Sequence, residues 1–177
     1  MKKDECIVFG VFNLIYLFVS CFMAKTLAFL LLRLINVFVP VSYYAAAIVS
    51  CVTMVTVTVA MMAVLAFFDG YRYAQFDFTV TLISAGAAAA VHFAIGLLAR
   101  FFPLLFGGVR DMAGLISYGS FFNSASRVSE IPFGTLAVTG LILSMVYVAT
   151  VFLMKRFGCR KRLRDRAETT GTAETAI

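Results

Sequence analysis

Charge is what this sequence most conspicuously lacks. The four stretches 6–24, 34–68, 78–99 and 131–154 contain no Asp, Glu, Lys or Arg. An α-helix rises about 1.5 Å per residue, so roughly 20 apolar residues cross a bilayer core about 30 Å thick. Only 14% of the residues are charged and 62% are hydrophobic, whereas soluble domains average about 25% charged residues. A water-soluble domain is therefore excluded, and we expect lipid around most of the chain.

The sequence motifs of catalytic and metal centres are also missing. There is no HExxH pattern, no glycine-rich phosphate loop that opens a helix, and only one histidine. The four cysteines have no CxxC spacing, and a scattered cysteine in an apolar stretch usually behaves as a small hydrophobic residue. We therefore expect no enzyme activity, no cofactor and no metal site.

The apolar stretches predict the fold class. They are continuous and rich in Leu, Ala, Val and Phe, whereas strands of a membrane barrel alternate apolar with polar residues. We expect an all-α integral membrane protein, a four-helix transmembrane bundle with spans at about 6–24, 44–68, 78–102 and 132–154. Segment 107–131 is predicted to lie on the outer face, and 155–177 to form a basic cytoplasmic tail.

Residues 26–40 allow two interpretations. In the favoured one, the first span ends at Lys25, and this second apolar run lies in the interface or re-enters the membrane. In the other, one long tilted helix runs from about residue 6 to 38 and carries Lys25 and Arg33 into the bundle. Such a helix would be roughly 50 Å long, which requires steep tilt or a kink.

The distribution of basic residues predicts the orientation. Seven of the fifteen follow the last apolar stretch directly, and cytoplasmic loops carry an excess of Lys and Arg. With both ends in the cytoplasm, ten basic residues lie inside and five outside. The expected location is a bacterial-type plasma membrane. The positive net charge then indicates anionic lipid headgroups as partners and not nucleic acid. The residues expected at the inner headgroups are Lys155, Arg156, Arg160, Lys161 and Arg162.

Small residues at helical spacing predict where the helices pack. On the third span they follow one line, and a neighbouring pair, Gly86 and Ala90, lies beside that line. Small side chains let helices approach closely, which is how helix packing is favoured in lipid. The predicted packing seam comprises Ala85, Ala88, Gly96 and Ala99 of the third span with Gly140 and Ser144 of the fourth.

The single histidine lies in the middle of this seam. An ionisable residue inside a membrane is a candidate functional site, and Ser50 and Thr53 on the second span could line a pathway with His92. A neutral imidazole can also bridge two helices by hydrogen bonding, and no carboxylate accompanies it within the apolar stretches. Both the pathway and the bridging interpretation stay open, with bridging favoured.

Three cations flank the apolar stretches on the predicted outer side. Lys25, Arg33 and Arg100 could contact an anion or a lipid phosphate, or extend their charged ends toward water. Asp111 and Glu130 of segment 107–131 could pair with them.

Two functions from different classes follow from these patterns. The chain is expected to be a helix-packing accessory or assembly subunit of a larger membrane complex, as a homo-oligomer or with other membrane subunits. The alternative is a small permease-like transporter or channel subunit that acts as an oligomer. An aromatic-rich segment, a last span and a basic tail occur together in many bacterial permease subunits, but this order assigns no residue a role.

Overall fold

The computed structural model describes residues 2–73, 76–101 and 133–174, and these residues form four helices. They are α1 (Lys2–Phe38), α2 (Tyr43–Tyr73), α3 (Phe78–Phe101) and α4 (Phe133–Glu174). All four are long and apolar enough to cross a membrane. The described part of the chain is therefore all-helical, which confirms the predicted class at that level and fits a membrane protein. Segment 107–131, with Asp111 and Glu130, lies outside the described residues.

The helices form a bundle in which each packs mainly against two neighbours. Helix α1 packs against α2 and α3, and α4 packs against the same two helices. Around the bundle the order is therefore α1, α2, α4, α3, with α1 and α4 on one diagonal. The central packing consists of Leu17 and Cys21 from α1, Met62 and Ala66 from α2, Ala85 and Ala89 from α3, and Tyr147 and Val151 from α4.

Local capping explains where the helices begin and end. The Asn36 side chain accepts a hydrogen bond from the backbone N–H of Val41 at 3.2 Å, just past Pro40, which has no N–H to continue α1. Ser42 accepts the N–H of Ala45 in front of α2. Asp77 accepts the N–H groups of Thr79 and Val80 at 2.8 and 3.1 Å, as a residue at a helix N-cap does.

The favoured break at Lys25 is wrong, because α1 runs through that position without interruption. No proline or glycine stands between Gly10 and Pro40, so nothing interrupts the backbone hydrogen bonding. At about 1.5 Å per residue the helix is about 55 Å long, well beyond a bilayer core. Its last turns expose large apolar side chains such as Leu34, Val37 and Phe38.

Two helices also continue past the charges expected to end them. The second span was expected to end at about residue 68, but α2 continues through Asp69 and Gly70 to Tyr73, and α4 runs from the apolar stretch through the basic tail to Glu174. Lys, Arg, Glu and Ala all favour helix, and Arg164 and Glu168 form an ion pair at the spacing of one helical turn. Charge therefore ends the apolar stretch without ending the helix.

Candidate functional site

Helix α1 carries a column of buried polar side chains through the interior of the bundle. Asn13, Ser20 and Cys21 all lie on the side of α1 that is buried in the bundle and are at most 8% exposed. Each of the three meets a polar or sulfur-containing side chain of another helix. We call these three residues with their partners the polar column.

The part of the polar column around Asn13 joins three helices, α1, α3 and α4. The Asn13 side-chain amide donates to Oγ of Ser84 on α3 at 3.3 Å. The Tyr147 hydroxyl of α4 donates to the backbone carbonyl of Asn13 at 3.3 Å. Ser84 in turn donates to the Thr81 carbonyl one turn earlier in α3. These bonds satisfy buried polar groups that would otherwise be costly in an apolar surrounding.

The part of the polar column around Ser20 and Cys21 contains the histidine. His92 is fully buried, and its Nε2 lies 3.6 Å from the Cys21 Sγ. The Phe18 ring lies 5.4 Å from the imidazole, and the Thr58 side chain of α2 lies beside that of Cys21. Ser20 donates to the Met62 sulfur at 3.2 Å. His92 of α3 therefore contacts α1, and the same part of α1 contacts α2 through Ser20 and Cys21.

The structure places the other predicted pathway residues on the second helix. Ser50 and Thr53 are half-buried on α2, while the α2 hydroxyl that contacts Cys21 belongs to Thr58. Sequence patterns did not single out Asn13, Cys21 or Thr58 as sites, because one isolated polar residue in an apolar helix resembles many others. Only the helix arrangement brings them together.

The predicted packing seam is buried in part. Ala85 and Ala88 are at most 2% exposed, and Gly140 is buried and accepts a hydrogen bond from the Ser144 hydroxyl. Ser144 is half-buried at the edge of a groove between α3 and α4. For Gly96 and Ala99, in the last turns of α3, the structure describes the backbone alone.

The α3–α4 groove is open and apolar, and its volume is about 710 Å³. Gly86 forms part of its α3 wall, and a Cβ added there would meet no atom of the described residues within 4 Å. The small pair Gly86 and Ala90 therefore faces this groove without packing closely against α4. The remaining lining consists of residues such as Phe93, Met145 and Phe152.

The end of the bundle from which the basic residues of 155–166 project, here called the basic end, contains a buried ion pair. Lys155 Nζ lies 3.0 Å from the Asp69 carboxylate and 3.7 Å from the centre of the Phe9 ring. The Lys155 side chain is only 5% exposed. Lys155 thus lies inside the bundle, whereas Arg156, Arg160 and Lys161 are exposed and Arg162 is half-exposed.

Two glycines bring α2 and α4 together beside this ion pair. A Cβ on Gly70 would overlap the backbone carbonyl of Lys155, and one on Gly158 would overlap that of Phe67. The backbones therefore approach too closely for any other residue at either position. This crossing fixes Asp69 next to Lys155.

The predicted outer cations are separated along the chain. Lys25 is half-buried on α1, and Arg33 lies two turns further on, with its guanidinium 4.8 Å from the Phe29 ring centre. The side chain of Arg100 is outside the described part of the structure. A joint anion site of these three cations stays a prediction.

In comparisons with family models, curated proteins and solved structures, nothing matches this chain. Its function is therefore inferred from the geometry alone.

Proposed function

We propose that this protein is a four-helix transmembrane bundle that works as a helix-packing subunit of a larger membrane complex. The α3–α4 groove carries this proposal. In the described residues, α3 and α4 have the least extensive contact of the four adjacent helix pairs. The groove between them is walled by the small residues Gly86, Ala89 and Ala90 on one side.

A partner transmembrane helix is the occupant that fits this surface best. Small residues in lipid favour close approach of a second backbone, and the groove lining is almost entirely apolar. Helix α3 uses its other small residues, Ala85 and Ala88, to pack within the bundle. Within the described residues the Gly86–Ala90 pair is therefore open to a helix from a second copy or from another membrane subunit.

The matched variants Ala90→Phe and Ala87→Phe test this assignment. Ala90 lines the groove, whereas Ala87 is exposed on α3 outside it. After purification in native lipid, Ala90→Phe is expected to lose most of the co-purifying subunit or of the oligomer, because the ring fills the partner's place. Ala87→Phe should retain it, with stoichiometry measured by native mass spectrometry.

Equal assembly of the two variants would contradict the proposal. The co-purifying chain also identifies the partner, because a second copy gives a homo-oligomer and another subunit gives a mixed complex.

The polar column supports a second candidate, a small transporter or channel subunit. Here His92 with the half-buried Ser50 and Thr53 would contribute to a pathway within an oligomer. The hydrogen bonds across the column favour the helix-bridging role for His92 instead. Flux across proteoliposomes that is abolished by His92→Ala, with the assembly intact, would favour transport over packing.

The proposed placement is a bacterial-type plasma membrane with the basic end in the cytoplasm. The excess of Lys and Arg at that end supports this orientation. The exposed residues Arg156, Arg160 and Lys161 are proposed to attract anionic lipid headgroups.

A further inference from the structure

A polar cleft of about 780 Å³ lies between the end of α2 and the basic part of α4. Among the described residues, three arginines line it, Arg72 from α2 and Arg162 and Arg166 from α4, together with one carboxylate, Asp165. Arg162 and Arg166 are four residues apart, so both project from the same face of α4. Positive charge therefore converges on this cleft from two helices.

Hydrogen bonds between the helices hold the cleft in shape. Arg162 Nη1 donates to the Tyr71 carbonyl at 2.9 Å, and the Tyr71 hydroxyl donates to Asp165 at 3.0 Å. A guanidinium has five N–H donors, so this bond of Arg162 uses one of them. The Asp165 carboxylate is engaged by Tyr71, and the guanidinium groups outnumber it.

The wall of the cleft changes from polar to apolar along α2. Phe68 lines it one turn before Arg72, is 62% exposed, and ends the charge-free stretch 34–68. If α2 crosses the membrane as proposed, the arginines lie at the level of the headgroups and Phe68 at the level of the acyl chains. A ligand that suits both parts carries a phosphate and an apolar chain.

We propose that this cleft binds the phosphate headgroup of one anionic phospholipid, with Arg72, Arg162 and Arg166 facing the phosphate and Phe68 contacting the acyl chain. Guanidinium groups bind phosphate through paired, charge-assisted hydrogen bonds. The site rests on the membrane placement given above and is independent of a partner in the α3–α4 groove.

Two double variants with equal loss of charge provide the test. Arg72→Gln with Arg166→Gln removes cleft cations, while Arg156→Gln with Arg160→Gln removes exposed cations of α4. On an ideal helix Arg156 and Arg160 lie about 120° and 160° from Arg162, away from the cleft. The full-length protein is placed in phosphatidylcholine nanodiscs with and without phosphatidylglycerol, and bound lipid is counted by native mass spectrometry.

Loss of the cleft cations is expected to weaken phosphatidylglycerol retention on the order of tenfold more than loss of the exposed pair. Arg166→Gln alone, near the end of α4 and away from the central packing, should shift retention in the same direction by a smaller factor. This single variant keeps the test informative if the double variant fails to fold.

Two results would overturn the proposal. Equal loss of retention in both double variants would mean diffuse attraction by the whole basic segment. Inorganic phosphate that binds the detergent-solubilised protein as tightly as phosphatidylglycerol does would assign the cleft to a soluble phosphate compound and not to a lipid.

Discussion

At the scale of single residues, the main finding is that Lys155 is buried. Its position directly after the last apolar stretch is typical of a lysine at the membrane edge, yet its side chain is 5% exposed. Asp69 and the Phe9 ring replace the water that the ammonium group loses. Removing one partner of a buried ion pair leaves the other charge without compensation, so the pair is sensitive to single substitutions.

We therefore expect Lys155→Met to lower the free energy of unfolding by about 3–5 kcal/mol. Adding Asp69→Asn to it should restore part of that loss, because no buried charge then remains. Arg164→Met is the control, because the Arg164–Glu168 pair is exposed at 80% and 63% and its loss should change stability little. Unfolding in reconstituted lipid and detergent mixtures measures all three variants, and similar effects of Lys155→Met and Arg164→Met would refute the burial argument.

At the scale of helices, close approach is concentrated where α2 and α4 cross. Gly70 and Gly158 allow this crossing, because a Cβ at either position would overlap a backbone carbonyl of the other helix. A backbone atom cannot move aside as a flexible side chain can. Gly86 on α3 presents the opposite situation, because no atom in the described part of the chain lies within 4 Å of the missing Cβ.

Gly158→Ala and Gly86→Ala make a matched pair for this difference. Gly158→Ala is expected to cost about 1–3 kcal/mol of stability, as overpacking does. Gly86→Ala should be neutral or stabilising by up to about 1 kcal/mol, since Ala has the higher helix propensity. Thermal unfolding in the same lipid compares the two, and a larger loss at Gly86 would contradict the packing described for α2 and α4.

At the scale of the whole molecule, the unbroken α1 determines on which side of the bundle the two ends of the described chain lie. The start of α1, the end of α2 and Lys155 of α4 meet at the basic end, as the contact of Phe9 with Lys155 and with Tyr73 shows. An extra crossing by residues 26–40 would have separated the start of α1 from Lys155. Helices α1 and α4 therefore carry the two ends of the described chain to the same side.

Reporter fusions after Tyr43, Ala74, Ser120 and Ile177 test the resulting topology. The expected locations are outside, inside, outside and inside, because four crossings alternate and the excess of Lys and Arg favours a cytoplasmic basic end. A reporter after residue 43 on the same side as one after residue 74 would be incompatible with α2 as a crossing helix. The reversed pattern at all four positions would overturn the orientation alone.

Much of the fold of the described residues was predictable from the sequence, because a long apolar stretch without charge, proline or turn residues favours one continuous helix. Long stretches without charge predict helices, and all four appear near the expected positions. Helix ends were less predictable, since Lys25, Asp69 and Lys155 interrupt the apolar pattern without breaking backbone hydrogen bonds. Of the candidate site, His92 could be singled out as the single histidine of the sequence, within an apolar stretch. Its contact with Cys21 could not, because it depends on the packing of α1 against α3.

The sequence by itself determined that the described part of the chain has four helices long and apolar enough to cross a membrane, because each of them contains a long stretch without charge. Tertiary structure alone decided which polar groups meet. It placed Lys155 against Asp69 through the close crossing at Gly70 and Gly158, and it left Gly86 facing an open groove. Residues of the same chemistry thus have opposite environments, since the neighbouring backbone leaves no room for a side chain at Gly70 and Gly158 but leaves room at Gly86.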